Sequence, residues 1–186
     1  MKQQVLEQNF EIITGYTFRT ALKYTNSGNY RVVQSKDLSQ NLVIESKQLP
    51  KINFTVKSTN SVVKKGDILL SAKGLFKASI VNLGKDKIMA SSSVYILRPK
   101  SDVFISKYVA IYLNSPRGQI SLKKIAFSGQ IKFIKQSDLK KIPITNLSLS
   151  RQQMIIDAYS NLEELNRLQI KQQEIYNNLI NSLFSN

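Results

Sequence analysis

From Ser150 to Phe184 the chain reads SRQQMIIDAYSNLEELNRLQIKQQEIYNNLINSLF, without Gly or Pro. Apolar residues fall at Met154, Ile155, Ala158, Leu162, Leu165, Leu168, Ile175, Tyr176, Leu179, Ile180, Leu183 and Phe184. Spacings of three and four are those of a helix with one apolar stripe. Ser150 is the expected cap, Gln153 completes a capping box with it, and Leu149 and Met154 can form a hydrophobic staple. A helix from Arg151 to Phe184 would reach about 51 Å, longer than a domain built from the rest of the chain is wide. Much of it is therefore expected to project, and its stripe needs a partner. The heptad seam runs through Ile155, Ala158, Leu162, Leu165, Gln169, Gln172, Tyr176, Leu179 and Leu183. Polar residues inside such a seam cost stability and fix register. The reading is an antiparallel coiled coil, with Ile155, Leu162, Leu165, Gln169, Gln172, Tyr176, Leu179 and Leu183 at a homodimer contact. A long helix packed along its own domain is the plainer alternative.

The remaining sequence is basic. Of 186 residues, 27 are Lys or Arg and 12 are Asp or Glu. Residues 1–150 hold 24 of the cations against 8 acids, a net +16, whereas residues 151–186 hold 3 against 4. A basic head on a neutral helix suggests a polyanion-binding part and a protein-binding part. The division is placed at 1–149 for the head and 150–186 for the arm. Cysteine and histidine are both absent. That removes disulfides, thiol nucleophiles, Cys- or His-ligated metal and every triad that uses His. Between residues 20 and 150 the acids are Asp37, Glu45, Asp67, Asp86, Asp102 and Asp138, none close to another in sequence. A nuclease built on converging carboxylates is the rival from another class. No catalytic residue, metal or cofactor is assigned. No run of about 20 apolar residues offers a membrane span, and the first residues lack a signal peptide's apolar core. A cytoplasmic protein is expected.

Along the chain, Tyr30–Gln34, residues 41–44, Phe54–Val56, Ile68–Leu70, Ser79–Asn82, Ile88–Ala90 and Val94–Leu97 read as strands, and Lys64-Lys65-Gly66-Asp67 as a turn. Helix spacing runs from Ile105 to Leu113. Ser115-Pro116 restarts a helix with Ser as cap and Pro in the first turn, ending near Ala126. Residues 131–134 alternate as a strand, and Ser137-Asp138-Leu139 forms a helical turn. The fold expected is α/β in the α+β sense: a mixed, β-rich domain with a few short helices, followed by the long helix.

Basic and polar loops between these elements are the candidate DNA contacts. One holds Lys73, Gly74, Phe76 and Lys77. A second holds Lys123 and Lys124 with Ser128, Gly129, Gln130, Lys132 and Lys135. Arg19, beside Phe18, and Lys36 add two more cations. Gly lets backbone approach a phosphate, Lys neutralises it, and Gln or Arg can read base edges. Phe76 and Phe18 are read as exposed aromatics able to stack; the other Tyr and Phe residues are read as core.

The order of these pieces resembles the specificity (S) subunits of type I restriction–modification systems. The resemblance rests on Tyr30-Arg31-Val32-Val33-Gln34-Ser35-Lys36-Asp37-Leu38, Lys65-Gly66-Asp67-Ile68-Leu69-Leu70-Ser71 with Gly74, and Ile105–Ser115. It continues through Ser128-Gly129-Gln130-Ile131-Lys132-Phe133-Ile134, Asp138-Leu139, Ile142-Pro143-Ile144 and Gln152-Gln153. Two departures stand out. The family's Pro-Pro and Glu-Gln signature before the helix is replaced by Thr145–Gln153, and one recognition domain with one helix stands where S subunits carry two of each. The resemblance implies a half-S form that reads half of a bipartite double-stranded DNA target. It also implies an antiparallel helix pair acting as a ruler, and docking of DNA methyltransferase (modification) subunits, which a restriction subunit can join. A protein-interaction adaptor derived from such a subunit is a third reading.

Overall fold

The computed structural model describes residues 3–38, 42–55, 60–127, 129–130 and 132–184. Its elements are β1 (Gln3–Val5), α1 (Leu6–Asn9), β2 (Phe10–Thr14), β3 (Tyr30–Val33), β4 (Val43–Glu45), β5 (Lys51–Ile52), β6 (Ile68–Ser71), β7 (Ala78–Asn82), β8 (Ile88–Ala90), β9 (Val94–Pro99), α2 (Ser106–Asn114), α3 (Pro116–Ile125), α4 (Gln136–Leu139), β10 (Pro143–Thr145) and α5 (Leu149–Phe184). A five-stranded sheet has the order β2-β9-β6-β7-β4, a three-stranded sheet β5-β3-β8, and β1 pairs with β10. β3 with β8 and β4 with β7 are parallel; the other pairs are antiparallel. This is the mixed α+β head and long helix expected.

β6 and β9 occupy the middle of the larger sheet, and their sequences alternate between two cores. Ile68, Leu70, Tyr95 and Leu97 face Phe10, Phe104, Tyr108, Val109 and Leu122. Leu69, Val94 and Ile96 face the other way, into Val33, Leu38, Ile44 and Ile88. Helices therefore cover one face and the smaller sheet covers the other, which is why these strands read as unbroken apolar runs. At one end of β9, Arg98 donates to Asp67 from Nε at 3.0 Å and from Nη2 at 2.7 Å, and to the Val62 carbonyl at 2.9 Å. The hydrogen bonds to Asp67 hold the guanidinium above its usual value. The same carboxylate accepts from Lys64 N at 2.7 Å and so fixes the turn into β6.

α2 packs on the larger sheet. The Ser115 hydroxyl accepts from Gly118 N at 3.2 Å, with Pro116 in the first turn of α3, as the sequence implies. The sharp corner requires glycine at residue 118, where a Cβ would lie 2.1 Å from the Tyr112 carbonyl oxygen.

α5 spans 36 residues, about 54 Å. Among the described residues, only its root touches the head. Gln152, 0% exposed, donates from Nε2 to the carbonyls of Val103 (2.8 Å) and Leu147 (2.9 Å), and its Oε1 accepts from Ile105 N at 2.8 Å. Ile156 is buried beside it, and Lys107 Nζ donates to the Ser160 hydroxyl at 2.9 Å. From Asn161 to Phe184 every residue is exposed.

Several local expectations change. The cap of α5 is Ser148, not Ser150: its Oγ accepts from Arg151 N at 3.4 Å and its carbonyl from Gln152 N at 3.0 Å. The earlier start brings Gln152 to the head. Gln153 consequently bonds Asp157 rather than closing a capping box. The strand expected at Phe54–Val56 falls instead at Lys51–Ile52, because Phe54 joins an aromatic cluster; Val56 lies outside the described residues. Residues 132–134 form only isolated bridges, Phe133 with Lys73 and with Phe127, in place of a regular strand.

A buried polar group left without its partner costs about 1–3 kcal/mol. Gln152→Leu strands three backbone groups and should lower unfolding stability by at least about 2 kcal/mol in urea titration, whereas the exposed Gln153→Leu should change it by less than about 0.5 kcal/mol. Equal effects would deny the amide its role as the clamp of the arm.

Candidate nucleic-acid interface

Strand register decides where the loops go. Thr14 pairs with Tyr95, Ser71 with Val94 and Val33 with Ala90. The segments after β2, β3 and β6 therefore leave at one end, where Ser91–Ser93 connects β8 to β9. That turn ties them together. Ser91 N donates to the Val33 carbonyl (2.9 Å), Ser92 N to the Tyr16 carbonyl (2.8 Å) and Ala72 N to the Ser93 carbonyl (2.8 Å). The Ser93 hydroxyl accepts from Ser35 N at 3.1 Å.

The two basic loops read separately in the sequence are joined here. Gly74, at φ +76°, donates its N–H to the Lys132 carbonyl at 2.9 Å. Ile134 N donates to the Ala72 carbonyl at 3.1 Å and Phe127 N to the Phe133 carbonyl at 2.8 Å. The buried Tyr95 hydroxyl donates to the Ile134 carbonyl at 2.8 Å and anchors the second loop to the sheet; burial raises its pKa. Phe127 and Phe133 stack at 5.5 Å between centroids, and Lys135 Nζ sits 4.5 Å from the Phe127 centroid. Lys73, Gly74, Gly129, Gln130, Lys132 and Lys135 are exposed around this joint, as are Lys123 and Lys124 in the last turn of α3, while Lys77 is half buried. Ser128 lies outside the described residues. Phe127 and Phe133, expected in the core, are 53% and 37% exposed. The clustering of cations around them was the only available signal.

Phe76 is a correction. It is 3% exposed and packs in the larger core, because the left-handed turn at Gly74 returns the chain inward and Gln119 Nε2 donates to the Phe76 carbonyl at 2.7 Å. The exposed apolar side chain of that loop is Leu75, at 73%. Phe18 is half buried, edge-to-face with Tyr16 at 5.0 Å and with Phe54 at 5.4 Å. Those rings and Arg19 line a separate recess of about 430 Å³ that also takes in Lys23 and Asn53. Lys36 is exposed on the helical turn after β3, next to the Ser35–Ser93 bond. Arg19 and Lys36 thus stand on other loops, apart from the Gly74–Lys132 joint.

Four acids of the head are engaged elsewhere. Asp67 holds Arg98. Asp86 accepts from the Ser46 hydroxyl at 2.7 Å and lies 2.9 Å from Arg31 Nε; the Ser46 bond, then Arg31, lowers its pKa. Asp37 accepts from Gln34 N at 2.8 Å, and Glu45 from Asn82 Nδ2 at 3.1 Å. Among the described residues no group of three or more Asp or Glu side chains could hold a metal ion. No helix of the described residues is long and apolar enough to cross a membrane.

The head is thus a mixed α+β body with basic loops gathered at one end, clamped to a projecting helix. The chain belongs to the type I restriction modification DNA specificity domain family, whose profile matches residues 4–177. It is similar in fold to the type I restriction-modification S subunit from M. genitalium (19% identity, TM-score 0.59, 88% of this chain and 39% of that one). It is also similar to the HsdS subunit from Thermoanaerobacter tengcongensis (18%, TM-score 0.62, 88% and 37%). A third likeness is to a chain from a structure addressing complex assembly and conformational transition of the type I R-M system (19%, TM-score 0.67, 92% and 41%). The chain spans about two fifths of the length of each. No curated protein matches it in sequence.

Truncating a buried Phe costs about 3–5 kcal/mol. Phe76→Ala should therefore unfold the head far earlier in urea, whereas Leu75→Ala should stay within about 0.5 kcal/mol of the parent. The reverse ranking would return Phe76 to the surface.

Proposed function

We propose that the head, residues 1–149, reads one half of a bipartite double-stranded DNA target, and that the arm, residues 150–186, pairs antiparallel with a second copy. DNA methyltransferase (modification) subunits then supply the chemistry, a restriction subunit can join, and the complex works in the cytoplasm. The observation that carries this reading is the joint of the 72–77 and 127–135 loops. It sets cations, glycine backbone and the Gln130 amide on one exposed rim. Membership of a DNA specificity family supports it, and the engaged state of Asp37, Glu45, Asp67 and Asp86 favours recognition over carboxylate-based cleavage.

The arm sequence supports the pairing. Seam layers match in an antiparallel pair when Gln169 faces Gln172 of the second copy. Leu165 then meets Tyr176, and Leu162 meets Leu179. A shift of one heptad would place both Gln side chains against Leu in one direction, or against Leu and Tyr in the other, which the cost of unpaired buried amides disfavours. Asp157, Glu163, Glu164, Arg167, Lys171 and Glu174 all fall outside the seam and its flanks, and Glu164 with Arg167 forms an ion pair along the same helix.

Phosphate contacts make binding salt-dependent. Lys73→Ala, Lys132→Ala and Lys135→Ala should each reduce the slope of log K against log salt by about one unit. Gln130→Ala should instead relax preference at one base pair, by about 1–3 kcal/mol if its contact is bidentate. Fluorescence anisotropy on duplex DNA reads both quantities. Unchanged slopes and preferences in all four variants would move the DNA face off this joint, and absence of salt-dependent binding by the parent would favour an adaptor.

A further inference from the structure

The rim that carries the cations also carries apolar surface that the head does not need for folding. Leu75 is 73% exposed, and Phe127 and Phe133, on the loop joined to it, are 53% and 37% exposed. Backbone contacts place the two loops against each other: Gly74 N donates to the Lys132 carbonyl at 2.9 Å, and Lys73 bridges Phe133. Leu75 follows the left-handed Gly74 directly, which lifts it out of the loop while Phe76 turns into the core. Exposed apolar groups ringed by polar ones mark a contact surface. The charge around them selects its partner. From Val103 to Ser137 the chain has no acid and six cations, and from Ile68 to Lys85 no acid and three cations. A surface of that sign fits the polyanion rather than an acid-complementary protein face.

On double-stranded DNA the major groove presents one apolar group, the C5-methyl of thymine. Insertion of a ring between base pairs is the other apolar mode. Here Phe127 is committed to Phe133 at 5.5 Å and to Lys135 at 4.5 Å, so contact along the groove suits the pair better than stacking. We propose that Leu75, two residues from the Lys73–Phe133 bridge, is a specificity-determining contact for a thymine methyl group, so that the half-site contains a thymine read by its methyl and not only by hydrogen bonds. This rests on the DNA-reading role argued above.

The test uses the full chain and the duplex it selects from a random pool. Thymines of that duplex are replaced one at a time by deoxyuridine, which removes the methyl and leaves base pairing intact. One position should lose about three- to fivefold in affinity, the size expected for one buried methyl. Leu75→Ala should lose a similar factor on the thymine duplex and nothing further on the deoxyuridine duplex. Lys73→Ala should remain sensitive to the same replacement. If the parent binds specifically yet tolerates deoxyuridine everywhere, or if Leu75→Ala and deoxyuridine act additively, the inference is overturned while DNA recognition stands. Weaker capture of methyltransferase by Leu75→Ala with unchanged DNA affinity also overturns it, assigning the rim to that partner. Failure of the parent to bind duplex DNA at all would sink the recognition role itself.

Discussion

β6 and β9 have no face left for water. Ile68, Leu70, Tyr95 and Leu97 fill one core, and Leu69, Val94 and Ile96 fill the other. Burial is the dominant favourable term in folding, so both covers are obligatory: α2 and α3 on one side, the β5-β3-β8 sheet on the other. Two covers leave the sheet ends as the places where loops can emerge. At one end Ser91–Ser93 gathers the segments after β2, β3 and β6. At the other, Asp67 holds Arg98 and the turn of Lys64–Asp67.

The arm is rooted near that second end. Ser106, at the start of α2, donates its hydroxyl to the Gly66 carbonyl at 2.6 Å, while Gln152 grips Val103 and Ile105. α2 then runs back toward the 72–77 loop, where the Asn114 amide donates to the Ala78 carbonyl at 2.7 Å and accepts from Ala78 N at 2.9 Å. α3 continues the connection through Gln119 to the Phe76 carbonyl. One strut thus fixes the arm relative to the loops. The proposed ruler between half-sites would depend on that connection, because slack between head and arm would become slack in target spacing. Charge follows the same division, with the positive excess on the head and near-neutrality on the arm.

Much of this was legible in the sequence, for local reasons. Alternation marked β3 and unbroken apolar runs marked β6 and β9; Ser115-Pro116 marked the start of α3; and three–four spacing marked α5. The failures are non-local. Nothing near Pro143 announces its pairing with Val5, which closes β1 on β10. Ser148 and Ser150 are equivalent caps by local chemistry, and the choice is made by Gln152 reaching Val103, Ile105 and Leu147. Phe76 stands in a loop with Lys73, Gly74 and Lys77 and so reads as exposed, yet the left-handed Gly74 reverses its direction. The joining of the 72–77 and 127–135 loops depends on strand register fixed far from either, so the candidate residues could be named in advance but not assembled.

The central claim is that two identical heads are held apart by paired arms. Sequencing the duplexes that the full chain selects from a random pool tests it most directly. The account predicts two inverted copies of one short element across a fixed spacer, since an antiparallel pair is two-fold symmetric. Seven residues inserted after Gln172 lengthen the pair by about 10 Å and should widen the spacer by about three base pairs, at roughly 3.4 Å each, with the elements unchanged. A single continuous, non-palindromic site, or a spacer indifferent to the insertion, would contradict it.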